Sequence, residues 1–186
     1  MPNELGLDND REMNLSPGLD SNRLLLPPLA VEHTDALSTI YADPDVARYV
    51  GGDRLTAETI PLQVVAFAEE WEQRGYGQSA VLDRKTGGFL GRIGLHFWPE
   101  WNEVELGYVL SRSAQGKGFA FEGSMRWIDW AKSESDIDYL IANIHPDNAA
   151  SIGLAKKLGF TFSRHDRTPS GLPTLIYRLN ASRPVL

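Results

Sequence analysis

Residues 103–131 read Glu103-Val-Glu-Leu-Gly-Tyr-Val-Leu-Ser-Arg-Ser-Ala-Gln-Gly-Lys-Gly-Phe-Ala-Phe-Glu-Gly-Ser-Met-Arg-Trp-Ile-Asp-Trp-Ala131, and they decide the reading of the whole chain. The stretch is a strand, a glycine-containing loop and a helix. Glu103 and Glu105 alternate with Val104 and Leu106, as on a strand with two unlike faces. Ala120, Phe121, Ser124, Met125, Trp127, Ile128 and Ala131 recur at helical spacing and form an inner face, with Arg126, Asp129 and Lys132 outside. Between the two lie Gly116 and Gly118, separated by Lys117. Glycines immediately before a helix leave backbone N–H groups free to converge on an anion, and the helix dipole there favours negative charge. A phosphate fits, although a plain turn or cap would use the same glycines.

Outside this stretch the chain is ordinary for one globular domain: 186 residues, 42% hydrophobic and 23% charged. A flexible polar leader is expected at 1–22, without periodicity and broken by glycine and proline, and a single domain at 23–186. No apolar run reaches the roughly 20 residues that cross a bilayer, and the amino terminus has neither a basic start nor an apolar centre, so a cytoplasmic protein is expected. With no cysteine there is no thiolate ligand and no cysteine-bound acyl group. The net charge of −7 speaks against non-specific nucleic-acid binding but not against a nucleotide cofactor held by backbone amides. The four histidines show no metal spacing.

Taken in order, residues 24–29 predict a first strand limited by Pro27 and Pro28. A short helix follows over Val31 to Tyr41 with Thr34 as cap, then a helical turn at 46–50. A longer helix is predicted over 57–73, its buried stripe formed by Ile60, Val64, Val65, Phe67, Ala68 and Trp71. Two apolar runs at 77–82 and 89–96 flank a polar connection ending in Gly87-Gly88, and with 103–110 they predict an antiparallel meander. Trp98 and Trp101 at its tip either pack structurally or line an acceptor pocket. Glu122 reads as a hydrogen-bonded structural carboxylate in preference to a catalyst. A strand at 139–144, a helix at 149–158 stopped by Gly159, and a closing hairpin at 160–166 and 173–179 complete the chain.

Two motifs then combine. Gln115-Gly-Lys-Gly-Phe-Ala120 fits Gln/Arg-x-x-Gly-x-Gly/Ala directly after a strand, and Asn148-Ala-Ala-Ser-Ile-Gly-Leu-Ala-Lys-Lys-Leu-Gly-Phe160 carries Asn-x-x-Ser followed by Leu-Gly-Phe. On physical grounds Asn148 and Ser151 are simply a good helix start. Together the motifs resemble the GNAT acetyltransferase superfamily, in particular its branch of ribosomal-protein N-terminal acetyltransferases, over roughly 23–179.

That resemblance implies an α/β fold with a mixed, mostly antiparallel twisted sheet of about seven strands, flanking helices and a splayed central strand pair. It implies acetyl-CoA as co-substrate, without a metal, and direct acetyl transfer to a primary amine, on a protein amino terminus or a small molecule. The diphosphate would lie on Gln115, Gly116, Lys117, Gly118, Phe119 and Ala120, the pantetheine arm against Val109 and Leu110, with Asn148 and Ser151 beside it. Glu105 is the first candidate for the base and Glu103 the second, against the alternative of solvent-facing strand carboxylates. Many family members place a tyrosine after the second motif to protonate the leaving thiolate. Here the region has none, so Ser151 is the candidate and Tyr108 a remoter one. A homodimer is also expected. A non-catalytic acyl-CoA sensor and a nucleotide-binding regulator are the alternatives from other classes.

Overall fold

The computed structural model describes residues 19–182. Residues 1–18 of the expected leader lie outside them. Leu19 is 2% exposed, and Asp20 pairs with Arg84, so the described end of the leader is packed against the domain, contrary to the flexibility expected there. A leucine and an acid with partners on the body override the polar composition around them.

Seven strands form one sheet: β1 (Leu24–Leu25), β2 (Gln78–Asp83), β3 (Phe89–Trp98), β4 (Glu103–Leu110), β5 (Tyr139–Ile144), β6 (Thr161–Arg167) and β7 (Pro173–Asn180), in the order β1-β2-β3-β4-β5-β7-β6. All neighbours are antiparallel except β4 and β5. The meander β2-β3-β4 is built on local chemistry. Asp83 Oδ1 accepts from the N–H groups of Lys85 and Thr86 at 2.8 and 3.0 Å, which closes the turn before β3. At Gly91, φ is +147° and a Cβ would stand 2.1 Å from the Val109 carbonyl oxygen, so only glycine lets β3 and β4 approach there.

The β4–β5 contact is of another kind. Its register is one residue pair, Glu105 with Ile141, whereas β3 and β4 pair over eight positions from Gly91–Leu110 to Trp98–Glu103. Beyond that rung the two strands diverge, which is the splay that the family resemblance implies.

Helices cover both faces. α4 (Phe119–Glu134) buries Trp127, Ile128 and Ala131 against Ile93, Leu95, Leu106 and Leu140, and α5 (Ala149–Lys157) adds Ala155 to the same cluster. α1 (Thr34–Tyr41), α2 (Pro44–Ala47) and α3 (Thr59–Arg74) cover the opposite face with Leu37, Ile40, Val46, Val64 and Phe67 around Ala80 and Val109.

Several local expectations shift. The first strand shortens to Leu24–Leu25 because Pro27 and Pro28 have no N–H, although the Pro27 carbonyl still accepts from Ala80. Val31–His33 is a 3-10 turn ahead of α1, and the Thr34 hydroxyl donates to the Val31 carbonyl, so Thr34 is no N-cap. The turn expected at 46–50 falls at α2, where Asp43 caps by accepting from Asp45 N–H at 3.0 Å. On α3, Val65 is 41% exposed while Glu70 is 8% exposed, so the stripe is rotated from the expected one.

Candidate functional site

A cleft of about 630 Å³ opens where β4 and β5 part, roofed by residues 49–51, Arg54 and Leu55 from the α2–α3 connection and by residues 168–170 and Leu172 from the β6–β7 connection. Tyr49 donates to the Asp147 carbonyl at 3.3 Å, so the first roof segment touches the β5 side of the gap, and Arg54 reaches the Ser170 carbonyl at 3.5 Å, which joins the two roof segments.

Glu105 lies on the floor, at the rung itself. It is partly open to the cleft and otherwise densely enclosed. Burial pushes its carboxyl above the usual range, opposed by the Trp98 indole and by the nearby His96 and Arg92 charges. Trp98 Nε1 donates to Glu105 Oε2 at 2.6 Å, so the tryptophan at the meander tip serves the cleft. Trp101 packs against it in a tilted arrangement, with ring centroids 5.1 Å apart. Glu103 shares the strand face with Glu105 but has different partners. Arg164 Nη1 and Nη2 donate to its two oxygens at 3.1 and 2.7 Å, and the Tyr139 hydroxyl donates at 3.1 Å.

Across the gap, Asn148 Oδ1 accepts from Ser151 N–H at 3.1 Å and caps α5, as both residue types predict. The Ser151 hydroxyl lies 2.8 Å from that of Tyr108, whose pKa burial pushes up to about 12. The remoter acid candidate and the nearer one are therefore a single pair.

At the head of α4 the chain forms the predicted loop. Gly116 and Gly118 both have positive φ, +73° and +82°. Among the described residues, no acceptor is hydrogen-bonded to the N–H groups of residues 116–121, although the Gln115 side chain donates to the Leu110 carbonyl at 3.0 Å and ties the loop to the end of β4. Such a cradle of unpaired donors at a helix start is a fit for a diphosphate. Glu122 turns away from it: Ser21 Oγ donates to Oε1 at 2.6 Å and Arg23 Nε to Oε2 at 2.6 Å. Burial alone would raise its pKa, but these donors hold it below the usual carboxylate range. It is the structural carboxylate the sequence indicated.

Three participants were not read from the sequence. His96 pairs in register with Glu105 across β3 and β4, lines the cleft, and has Nδ1 2.8 Å from Glu70 Oε2. Glu70 also accepts from Phe97 N–H at 2.6 Å. The available signal for Glu70 was its place three residues after Phe67, on the flank of the apolar stripe. Arg23, which marked only the start of the domain, reaches the glycine loop by donating to the Lys117 carbonyl at 3.0 Å.

Residues 23–161 match the Acetyltransferase (GNAT) domain family, and the chain belongs to it. It is 33% identical over 135 residues to the uncharacterized protein YkkB of Bacillus subtilis (strain 168), covering 67% of this chain and 73% of that protein. The crystal structure of an acetyltransferase from Agrobacterium tumefaciens str. C58 superposes with a TM-score of 0.79 at 28% identity, covering 88% of this chain and 94% of that one. In fold the chain also resembles the ribosomal L7/L12 alpha-N-protein acetyltransferase RimL in complex with coenzyme A, with a TM-score of 0.70 at 20% identity over 86% and 95% of the two chains. This chain is accordingly an acyl-CoA-dependent acetyltransferase that takes an amine acceptor. Among the described residues no helix is long and apolar enough to cross a membrane.

Proposed function

We propose that the cleft acetylates a primary amine, on a protein amino terminus or a small molecule, by direct attack within a ternary complex. Acetyl-CoA supplies the activated acyl group as a thioester. The unpaired amides of residues 116–121 bind its diphosphate, and the gap between β4 and β5 takes the arm. Ser111 N–H donates across to the Leu90 carbonyl, so alternation along β4 turns the Leu110 N–H toward the gap. That supports Leu110, rather than Val109, as the donor that polarises the thioester carbonyl.

Glu105 receives the proton that the acceptor ammonium must lose before it can attack, directly or through water. The observation that carries this role is its position at the single β4–β5 rung, beneath the cleft, with one oxygen held by Trp98. His96, on the same face and oriented by Glu70, supports passage of that proton outward. The Tyr108–Ser151 pair donates a proton to the departing sulfur. Glu103, engaged by Arg164 and Tyr139, serves the architecture.

Cytoplasmic residence and a homodimer belong to the same reading, and light scattering tests the dimer. The decisive experiment incubates the protein and acetyl-CoA with amino acids, polyamines, aminoglycosides and amino-terminal peptides, following thiol release and a 42 Da gain by mass spectrometry. CoA binding without thiol release across the panel would replace the enzyme by an acyl-CoA sensor.

A further inference from the structure

Arg23 connects the first strand, the glycine loop and the first turn of α4, and nothing in the reaction as described employs it. Its backbone is fixed to the sheet: the Arg23 carbonyl accepts from Arg84 N–H at 2.9 Å, next to the Leu24–Asp83 pairing. Its side chain reaches in two directions. Nε and Nη2 each lie 2.6 Å from Glu122 Oε2, and Nη1 donates to the Lys117 carbonyl at 3.0 Å. The guanidinium also lies 4.5 Å from the centre of the Phe119 ring.

The Lys117 carbonyl belongs to the same peptide as Gly118 N–H, and in a trans peptide the two point in opposite directions. Holding the carbonyl toward Arg23 therefore turns Gly118 N–H to the other side of the loop, among the amides that have no acceptor among the described residues. This peptide is one that would otherwise rotate readily, because Gly118 carries no side chain and adopts φ +82°. A Cβ on Gly118 would come within 3.3 Å of Arg23 Nη2 and would press the guanidinium away from the loop by a few tenths of an ångström. Glu122 adds a second requirement. A carboxylate in the first turn of α4 would repel an incoming diphosphate and compete for the amides. Ser21, Arg23 N–H and the guanidinium occupy both of its oxygens instead.

We propose that Arg23 is a positioning residue for acetyl-CoA: it locks the 117–118 peptide so that Gly118 N–H faces the diphosphate, and it holds Glu122 away from the same site. This rests on the diphosphate reading of the loop. A lysine retains the charge but cannot span Glu122 and the Lys117 carbonyl with one planar fork.

The test is calorimetric titration of wild type, Arg23→Lys, Arg23→Met and Glu122→Gln with CoA and with dephospho-CoA, alongside thermal midpoints. Both Arg23 variants should weaken both ligands by about tenfold, the scale of one charge-assisted hydrogen bond, and Glu122→Gln by much less because Arg23 still reaches Lys117. Equal losses for the two ligands support action at the diphosphate. Unchanged affinity in Arg23→Lys overturns the proposal. So does a loss confined to CoA, which places Arg23 at the 3′-phosphate, or an equal loss in Glu122→Gln that follows the thermal midpoint. Wild type that binds neither ligand overturns the diphosphate reading itself, an outcome distinct from wild type that binds while Arg23→Lys is unaltered.

Discussion

The hydroxyl of Tyr108, on β4, lies 2.8 Å from that of Ser151, on α5, and the pair bridges the two sides of the splay. With its pKa pushed up to about 12, Tyr108 stays protonated across the working range and remains a donor. Tyr108→Phe leaves Ser151 without its partner. It is expected to lower kcat by about tenfold to a hundredfold, the scale of a general-acid contribution, with CoA affinity nearly unchanged. Ser151→Ala should act similarly and the double variant little worse, because the two work as one unit. Stopped-flow single turnovers separate the chemical step from product release, and additive losses would contradict a shared proton path.

Glu105→Gln keeps a group of the same shape beside Trp98 but cannot take a proton. Its kcat is expected to fall by about a hundredfold, with CoA binding within a factor of about two. Since burial raises the Glu105 carboxyl, the acidic limb of the wild-type pH–rate profile should lie above the ordinary carboxylate range near pH 4 and be missing from the variant. An acidic limb that survives in Glu105→Gln would assign the base elsewhere.

The same residue makes a stability prediction of definite sign. A carboxyl whose pKa is raised on folding binds its proton more tightly in the native state, so its contribution is fully present below the unfolded pKa and declines as pH rises through the folded one. Glu105→Gln carries no such penalty. Its thermal midpoint relative to wild type should therefore climb as pH rises from the ordinary carboxylate range. A difference that is flat or falls with pH would mean that Glu105 is not penalised by its surroundings.

Glu103 should matter to stability and little to turnover. Its side chain is 10% exposed and Arg164 grips both oxygens, but Arg164 itself is 36% exposed, which limits the energy at stake. Arg164→Met is expected to cost about 1–2 kcal/mol in urea unfolding, and Glu103→Gln about 1 kcal/mol. Both should keep kcat within about twofold of wild type, against the tenfold or larger effects of a true acid or base. A large loss of kcat in a still-folded Glu103→Gln would return Glu103 to the base role.

What could be read in advance followed from local chemistry. The meander was legible because Asp83 and Gly87-Gly88 announce the turn, and the glycine loop at the head of α4 because its glycines stand directly against an amphipathic helix. The splay came from the family resemblance, since no periodicity tells a strand where to leave its neighbour. Glu105 and Glu103 were equivalent by alternation alone. They are distinguished by Trp98 and Arg164, the second of which is 61 positions from Glu103, and such long-range partners leave no local trace. Glu70 and Arg23 were overlooked for a related reason: a charged residue at the flank of a stripe or before a strand reads as solvated until its partners, Phe97 and Lys117, are seen beside it.

Because Glu105 with Ile141 is the single backbone pairing between β4 and β5, the sheet consists of two plates meeting at one seam. An occupant laid in that seam would act as mortar. Amide exchange along β5 and β7 should then slow on addition of CoA, and the melting temperature should climb with the logarithm of ligand concentration, since the intact fold alone has a seam to fill.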